Sequence, residues 1–304
     1  MTTATRRAPA SGPPMRPPAT DPVTRRPGGL GRLPLHLILL LICGLWLVPL
    51  LALLISSFRS AYDISTTAWW QALRAPFSLH TDNYLQVLER NGFGHALANS
   101  ILIAVPAVTV MTMVGAVAAY ALARLSFRGT RLVLVGFVVL LAVPVQVTLV
   151  PVLRMYNATG LTGTFIGIWL AHLGFGLPFA VYLLRSFFAS LPTELFEAAE
   201  VDGASTLATF LRIAVPISRP ALASVAIFQF IWVWNDLLIA LIFLGGDPAV
   251  APLTVAVSNL VSASTGQGWH LLTAAAFVSM VVPMVLFFAL QRYFIRGLLA
   301  GSGK

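Results

Sequence analysis

Glu197-Ala198-Ala199-Glu200-Val201-Asp202-Gly203 is an acidic island in an apolar chain, and it runs on to Ile213-Ala214-Val215-Pro216 before hydrophobic sequence resumes. Four of the ten acidic residues, Glu194, Glu197, Glu200 and Asp202, fall within nine positions here. A segment this polar does not lie in lipid, where ionised side chains are costly. Its spacing predicts a helix. Pro192 lacks the N–H that a first turn leaves unsatisfied, Leu191 before it is pushed away from helical angles, and Gly203 suits a left-handed cap. The result is a helix of about three turns. Glu194, Glu197 and Glu200 form a ridge on it, with Leu195, Phe196 and Ala199 as an apolar neighbour face. Ser205 is placed to cap a second short helix through Arg212, and Pro216 with Pro220 sets a bend. Charge and periodicity fit a docking helix and a solvated loop equally well; in the loop the acids only favour the helix dipole.

Around the island the chain is written for a bilayer. It has 304 residues, 58% of them hydrophobic and only 10% charged, which is outside the range of ordinary soluble domains. A span needs roughly 20 apolar residues. Six stretches qualify: Leu35 to Ser57, Ser100 to Ala123, Leu132 to Leu153, Thr164 to Leu184, Ala221 to Leu244, and Leu271 to Gln291. The expected fold class is all-α, a polytopic membrane protein with six transmembrane helices and the island in a loop before the fifth.

Charge sorting predicts the orientation. Arg6, Arg7, Arg16, Arg25, Arg26 and Arg32 precede the first stretch against the single acid Asp21. Arg124, Arg128 and Arg131 follow the second, and Arg292, Arg296 and Lys304 the sixth, with no acid in either group. The alternate loops are balanced or nearly uncharged. By the positive-inside rule both termini and the island are cytoplasmic. The net charge of +9 therefore reports topology and affinity for anionic lipid headgroups, not binding of nucleic acid.

Residues 1–34 contain eight prolines and almost no large apolar side chains, so a disordered cytoplasmic tail rich in Pro and Arg is expected. The apolar run after it is longer than the 7 to 15 residues of a cleavable signal and reads as an uncleaved span. The only cysteine, Cys43, lies in that span; it excludes an intrachain disulfide and is expected to be buried. Residues 35–98 comprise the first transmembrane helix and an external loop. In that loop Trp69 and Trp70 suit the membrane interface, and residues 81–88 read as a capped short helix with Tyr84, Leu85 and Leu88 on its apolar face.

Gly115, Ala119 and Ala123, with Ala116 beside them, form a small-residue stripe that lets another helix approach closely. Prolines 106, 144, 151, 178 and 283, and the run Gly174-Phe175-Gly176-Leu177-Pro178, predict kinked helices around a cavity. Polar residues inside the stretches are Gln146, His172, Asn235 and Asp236. His172 reads as a hydrogen-bonded packing residue. Asp236 either touches a translocation path or pairs with a neighbouring helix. Trp232 and Trp234 beside Asn235 would suit a sugar ring, and ordinary aromatic packing fits them as well.

Common catalytic patterns are missing. A P-loop needs a lysine for phosphates, and the only lysine is Lys304. The five histidines form no zinc motif and no nucleophile elbow is present, so no metal site and no catalytic residues are assigned.

The spacing Glu197-Ala198-Ala199, three residues, Gly203, nine residues, Ile213-x-Val215-Pro216 resembles the EAA loop of binding-protein-dependent ABC transporter permeases, with Val215 where leucine is usual. Further segments are similar to the sugar, maltose-type class. They are Asn99-Ser100, Ala118-Ala119-Tyr120-Ala121-Leu122-Ala123-Arg124, Trp234-Asn235-Asp236 and Gln291-Arg292-Tyr293-Phe294-Ile295-Arg296-Gly297. Asp236 stands where that class usually has Glu. The resemblance covers residues from about 80 to 304. It implies a permease core at 99–293 with a coupling loop at 190–220, a short cytoplasmic tail at 294–304, and a multi-pass place in a bacterial-type inner (plasma) membrane. It also implies an ABC importer for a sugar or oligosaccharide. The implied partners are a second permease subunit in a heterodimer, two cytoplasmic ABC ATPase subunits that bind the ATP, and an extracytoplasmic solute-binding protein. Coupling to the ATPase would fall to Glu197, Ala198, Ala199, Asp202, Gly203, Ile213 and Pro216, and the translocation path to Gln146, Trp234, Asn235 and Asp236. Two alternatives stand beside this: an ABC permease for peptide, phosphate or polyamine, and an ATP-independent carrier or channel.

Overall fold

The computed structural model describes residues 33–74, 79–90, 92–263 and 268–302. The predicted tail lies outside them up to residue 32. Helix α1, Leu33–Ser57, begins within its expected last two residues. Contacts divide the chain into two units, residues 1–49 and 50–304. In the first unit α1 is apolar on every side, and Cys43 is exposed on it rather than buried as expected. A helix without a polar face has no preferred side to bury, so its thiol does not need a protein contact to avoid water in a bilayer.

The second unit opens with α2, Ala61–Thr66, a 3-10 turn at Trp69–Leu73, and α3, Asp82–Leu85, which runs into a π-turn at Gln86–Arg90. The short helix expected at 81–88 is present, but Thr81 makes no side-chain cap and the buried positions are Asn83 and Val87. The wider π-turn shifts the inward face away from the 3.6-residue spacing. Arg59, 2% exposed, ties this loop together by donating to the carbonyls of Asp63 at 2.7 Å and Thr67 at 3.2 Å. Asn83 Nδ2 donates to the carbonyls of Ser57 and Arg59 at 2.9 and 2.8 Å.

The long helices follow: α4, Phe93–Arg124; α5, Thr130–Ala142; α6, Val145–Thr159; α7, Phe165–Ser190. Then come α8, Glu194–Val201; α9, Thr206–Thr209; a π-turn at Phe210–Ala214; α10, Val215–Ile217; and α11, Arg219–Trp234. The chain continues with α12, Leu238–Leu244; α13, Leu253–Ala263; and α14, Trp269–Ser302. Most of the expected tail at 294–304 is therefore helical, as far as Ser302. Among the described residues there is no strand.

Four helices, α1, α4, α7 and α14, are long and apolar enough to cross a membrane, and two bent pairs raise the possible count to six. The third and fifth predicted stretches are not straight rods. Between α5 and α6 the axis turns by 103°, at Val143-Pro144. Pro144 has no N–H to continue the ladder, and it biases Val143 toward extended angles. The fifth stretch ends as a helix at Trp234, breaks at 235–237 and restarts as α12. Sixteen residues of α11 span about 24 Å, less than a bilayer core.

Helices α4 and α7 form the central pair, and α11 packs on α4, α7 and α14. The small-residue stripe is what lets α4 meet α7. Gly115, Ala116 and Ala119 are buried, and a methyl built on Gly115 would lie 2.9 Å from the Ala180 Cβ. Gly176 of α7 has equally little room, held under Met111 of α4 and the Gln229 side chain of α11.

Candidate functional site

The acidic island folds as two short helices joined by a glycine turn. Helix α8 has eight residues, about two turns rather than three, because Pro192 precedes its N-cap, Thr193. Its end is as predicted: Gly203 has φ +72°, with Gly203 N–H on the Glu200 carbonyl at 3.0 Å and Ala204 N–H on the Ala199 carbonyl at 2.9 Å. These two bonds make a Schellman cap. Ser205 Oγ accepts from Ala208 N–H at 3.3 Å and starts α9. The segment then continues helical to Ile217, beyond the expected Arg212, and turns by 77° into α11 at Ser218.

Of the expected apolar face, Phe196 and Ala199 turn inward and Leu195 stays outside. Ala199 is buried, Phe196 is half-buried, and the Arg124 guanidinium lies 4.1 Å from the Phe196 ring centre. Beside Leu195, the apolar groups left outside are Val201, Leu207 and Leu211, of which Val201 is 88% exposed. Glu197, Ala198, Asp202 and Gly203 are exposed beside them, and Ile213 and Pro216 are half-buried. Among the described residues Glu194, Glu197, Glu200 and Asp202 make no side-chain hydrogen bond or ion pair. Exposed aliphatic groups interleaved with unsatisfied carboxylates form a surface suited to a partner.

A second polar cluster sits at the break after α11. Asp236 accepts from the N–H groups of Ile239 at 3.2 Å and Ala240 at 2.9 Å, so its carboxylate caps α12. Its Oδ2 also lies 3.5 Å from His172 Nε2, a pairing that is ionic only when the imidazole is protonated. His172 Nδ1 meets the Ile168 carbonyl at 3.0 Å, and its ring stands edge-on to Trp232 with centres 5.4 Å apart. Thr254 Oγ1 donates to the Asp236 carbonyl at 2.6 Å. Asn99 Nδ2 donates to the carbonyls of Ala249 and Ala251, both at 3.1 Å, and Ser100 Oγ accepts from Leu253 N–H at 2.8 Å. The loop before α13 is thereby fixed to the start of α4.

The four residues expected along a path are not equivalent. Trp234 is 5% exposed, its indole N–H donates to the Ser279 carbonyl at 3.0 Å, and its ring stacks on Phe230. Asp236 is occupied as described. Asn235 is exposed, with Nδ2 on the Ile231 carbonyl at 2.8 Å, and Gln146 is exposed on α6. A cavity of about 370 Å³ opens inside the α5–α6 bend, walled by Val143, Thr148, Tyr156, Phe175 and Pro178. Another of about 350 Å³ shares Val145 and Phe175 with it and is bounded by Phe228, Gln229 and Trp232. Gln229 was not among the polar residues singled out from the sequence. It is 3% exposed and donates to the Gly176 carbonyl at 2.9 Å; its amide in the middle of an apolar stretch was the available signal.

Residues 111–299 match the family described as binding-protein-dependent transport system inner membrane component. The osmoprotective compounds uptake permease protein GgtD of Synechocystis sp. is 51% identical over 90% of this chain and 92% of its own length. The alpha-glucoside transport system permease protein AglG of Rhizobium meliloti is 51% identical over 73% of this chain and 60% of its own. In structure, the chain is similar to a bacterial ABC transporter involved in import of the acidic polysaccharide alginate. That match has a TM-score of 0.72 and 21% identity, covering 87% of this chain and 98% of the other, and it bears on the fold. The family match, the relatives and the membrane-crossing fold agree: this chain belongs to the inner membrane components of binding-protein-dependent transport systems.

Proposed function

We propose that this chain is a permease subunit of an ATP-driven importer of a sugar or oligosaccharide. Its sequence carries no P-loop lysine, so we assign the nucleotide to two ABC ATPase subunits, one of which docks on α8. The second permease subunit is a related but different chain, and a solute-binding protein delivers the cargo from the other side. Positive-inside sorting supports cytoplasmic termini and a cytoplasmic α8. Assignment of cargo rests on the named substrates of relatives, alpha-glucoside in one and trehalose in another.

The observation that carries the coupling assignment is the outer face of α8, where Val201 stands 88% exposed among four unpaired acids. Closure of the ATPases would tilt α8 and, through it, the spans. Exposed Gln146 and Asn235 are proposed to face the solute, with Trp234 and Asp236 holding the frame behind them. A photocrosslinker at Glu200 should capture an ATPase subunit in the assembled complex. Gly203→Asp, for which no atom stands in the way, strains the cap by about 1 kcal/mol. The variant should stay in the membrane and lose coupling of ATP hydrolysis to uptake. Normal uptake by it would sink the docking assignment.

A second reading, uptake of other osmoprotective compounds, is favoured by the 51% identity to the Synechocystis relative. Mass spectrometry of the molecule carried by the binding protein separates the two readings.

A further inference from the structure

At the end of α4 nearest the α8 loop, one cation joins α4 to two consecutive elements more than 60 positions further along the chain, the end of α7 and α8. Arg124 Nε donates to the Phe188 carbonyl at 3.1 Å, and Nη2 to the Leu191 carbonyl at 2.5 Å. These carbonyls belong to the last turn and the C-cap of α7, where a cation is favoured by the helix dipole; the Phe188 carbonyl also accepts from Leu191 N–H at 3.4 Å. The same guanidinium lies over the Phe196 ring of α8. One turn back on α4, the Tyr120 ring contacts Phe188 of α7, Phe196 of α8 and Phe210 of the π-turn, with centres 5.8, 6.3 and 5.0 Å apart. Among the described residues no carboxylate pairs with Arg124, so its donors are committed to backbone and ring.

We propose that Arg124 is a positioning residue that makes α8 move as one body with α4 and α7. Arginine suits the task because its planar fork reaches two carbonyls while its face stacks on an aromatic ring. Removing it would leave α8 docked on its partner but held to α4 and α7 by the Tyr120 ring contacts and the short link 191–193 alone, so α8 would be pulled with a weaker hold on the spans.

This proposal rests on the docking of α8 to an ATPase. Its test uses the complete transporter in lipid nanodiscs, on a Cys43→Ser background. Spin labels go at His95, near the far end of α4, and at Thr193, beside α8; their separation is measured with and without ATP. In the otherwise unaltered protein ATP leaves the separation unchanged. In Arg124→Gln it shifts by about 2 Å or more, the scale of a helix displacement at an interface. Phe196→Leu removes the ring but keeps both carbonyl bonds; it shifts in the same direction by less, and it carries the test if Arg124→Gln does not fold. An ATP-dependent shift in the unaltered protein overturns the proposal, and so does the absence of one in every variant that folds. The Glu200 photocrosslinker is read in the same samples. Capture of an ATPase with unchanged separations in the variants that fold overturns the relay alone, and failure to capture overturns the docking reading together with it.

Discussion

Asp236 and the acids of α8 are two opposite uses of carboxylate in an apolar polypeptide. Asp236 sits at a break within the helical core: its carboxylate accepts two amide donors of α12 and faces the His172 ring, and its carbonyl accepts from Thr254 of α13. Glu194, Glu197, Glu200 and Asp202 are exposed and answer to nothing within the described chain. An acid with internal partners fixes geometry. An acid without them, placed beside bare aliphatic groups, is available to another molecule. The difference lies in the surroundings rather than in the residue type, which is why charge alone left the sequence reading of both sites open.

Three substitutions test this division. Asp236→Ala is expected to have the largest effect, about 3 kcal/mol of stability, because it strands two amides and removes the group facing His172. Unfolding of the purified complex followed by tryptophan fluorescence reads it, and a near-native midpoint would remove Asp236 from the frame. Asp236→Asn keeps one acceptor oxygen for the two amides of α12 and loses the other together with the charge, so a smaller loss of about 1 kcal/mol is expected in the same assay. Glu197→Gln should change the stability of the permease by about 0.5 kcal/mol or less. Its effect should appear in ATPase retention during purification at raised salt. Destabilisation as large as that of Asp236→Asn would show that the outer acids also hold the fold.

The apolar stretches were legible because hydropathy reports thickness, and the packing stripe because Gly115, Ala116 and Ala119 share one face. Hydropathy carries no direction, however. It could not show that Pro144 turns the third stretch by 103° or that Asn235-Asp236 interrupts the fifth, although both carry breaker or capping residues. The glycine end of α8 was readable from Gly203 itself. Which side of α8 faces inward was not, since that depends on Tyr120 and Arg124, more than 70 positions away from Phe196. Arg124 counted only as a basic charge and a motif residue until the carbonyls of Phe188 and Leu191 were beside it.

The contact between Gly115 and Ala180 has a consequence for how such a chain can diverge. With 2.9 Å available to a new methyl, residue 115 is free to become alanine only if residue 180 becomes glycine or the two helices separate. The two positions therefore form a single heritable unit. Related sequences that enlarge one side should shrink the other, and an isolated change on either side should mark a chain whose helices have drifted apart.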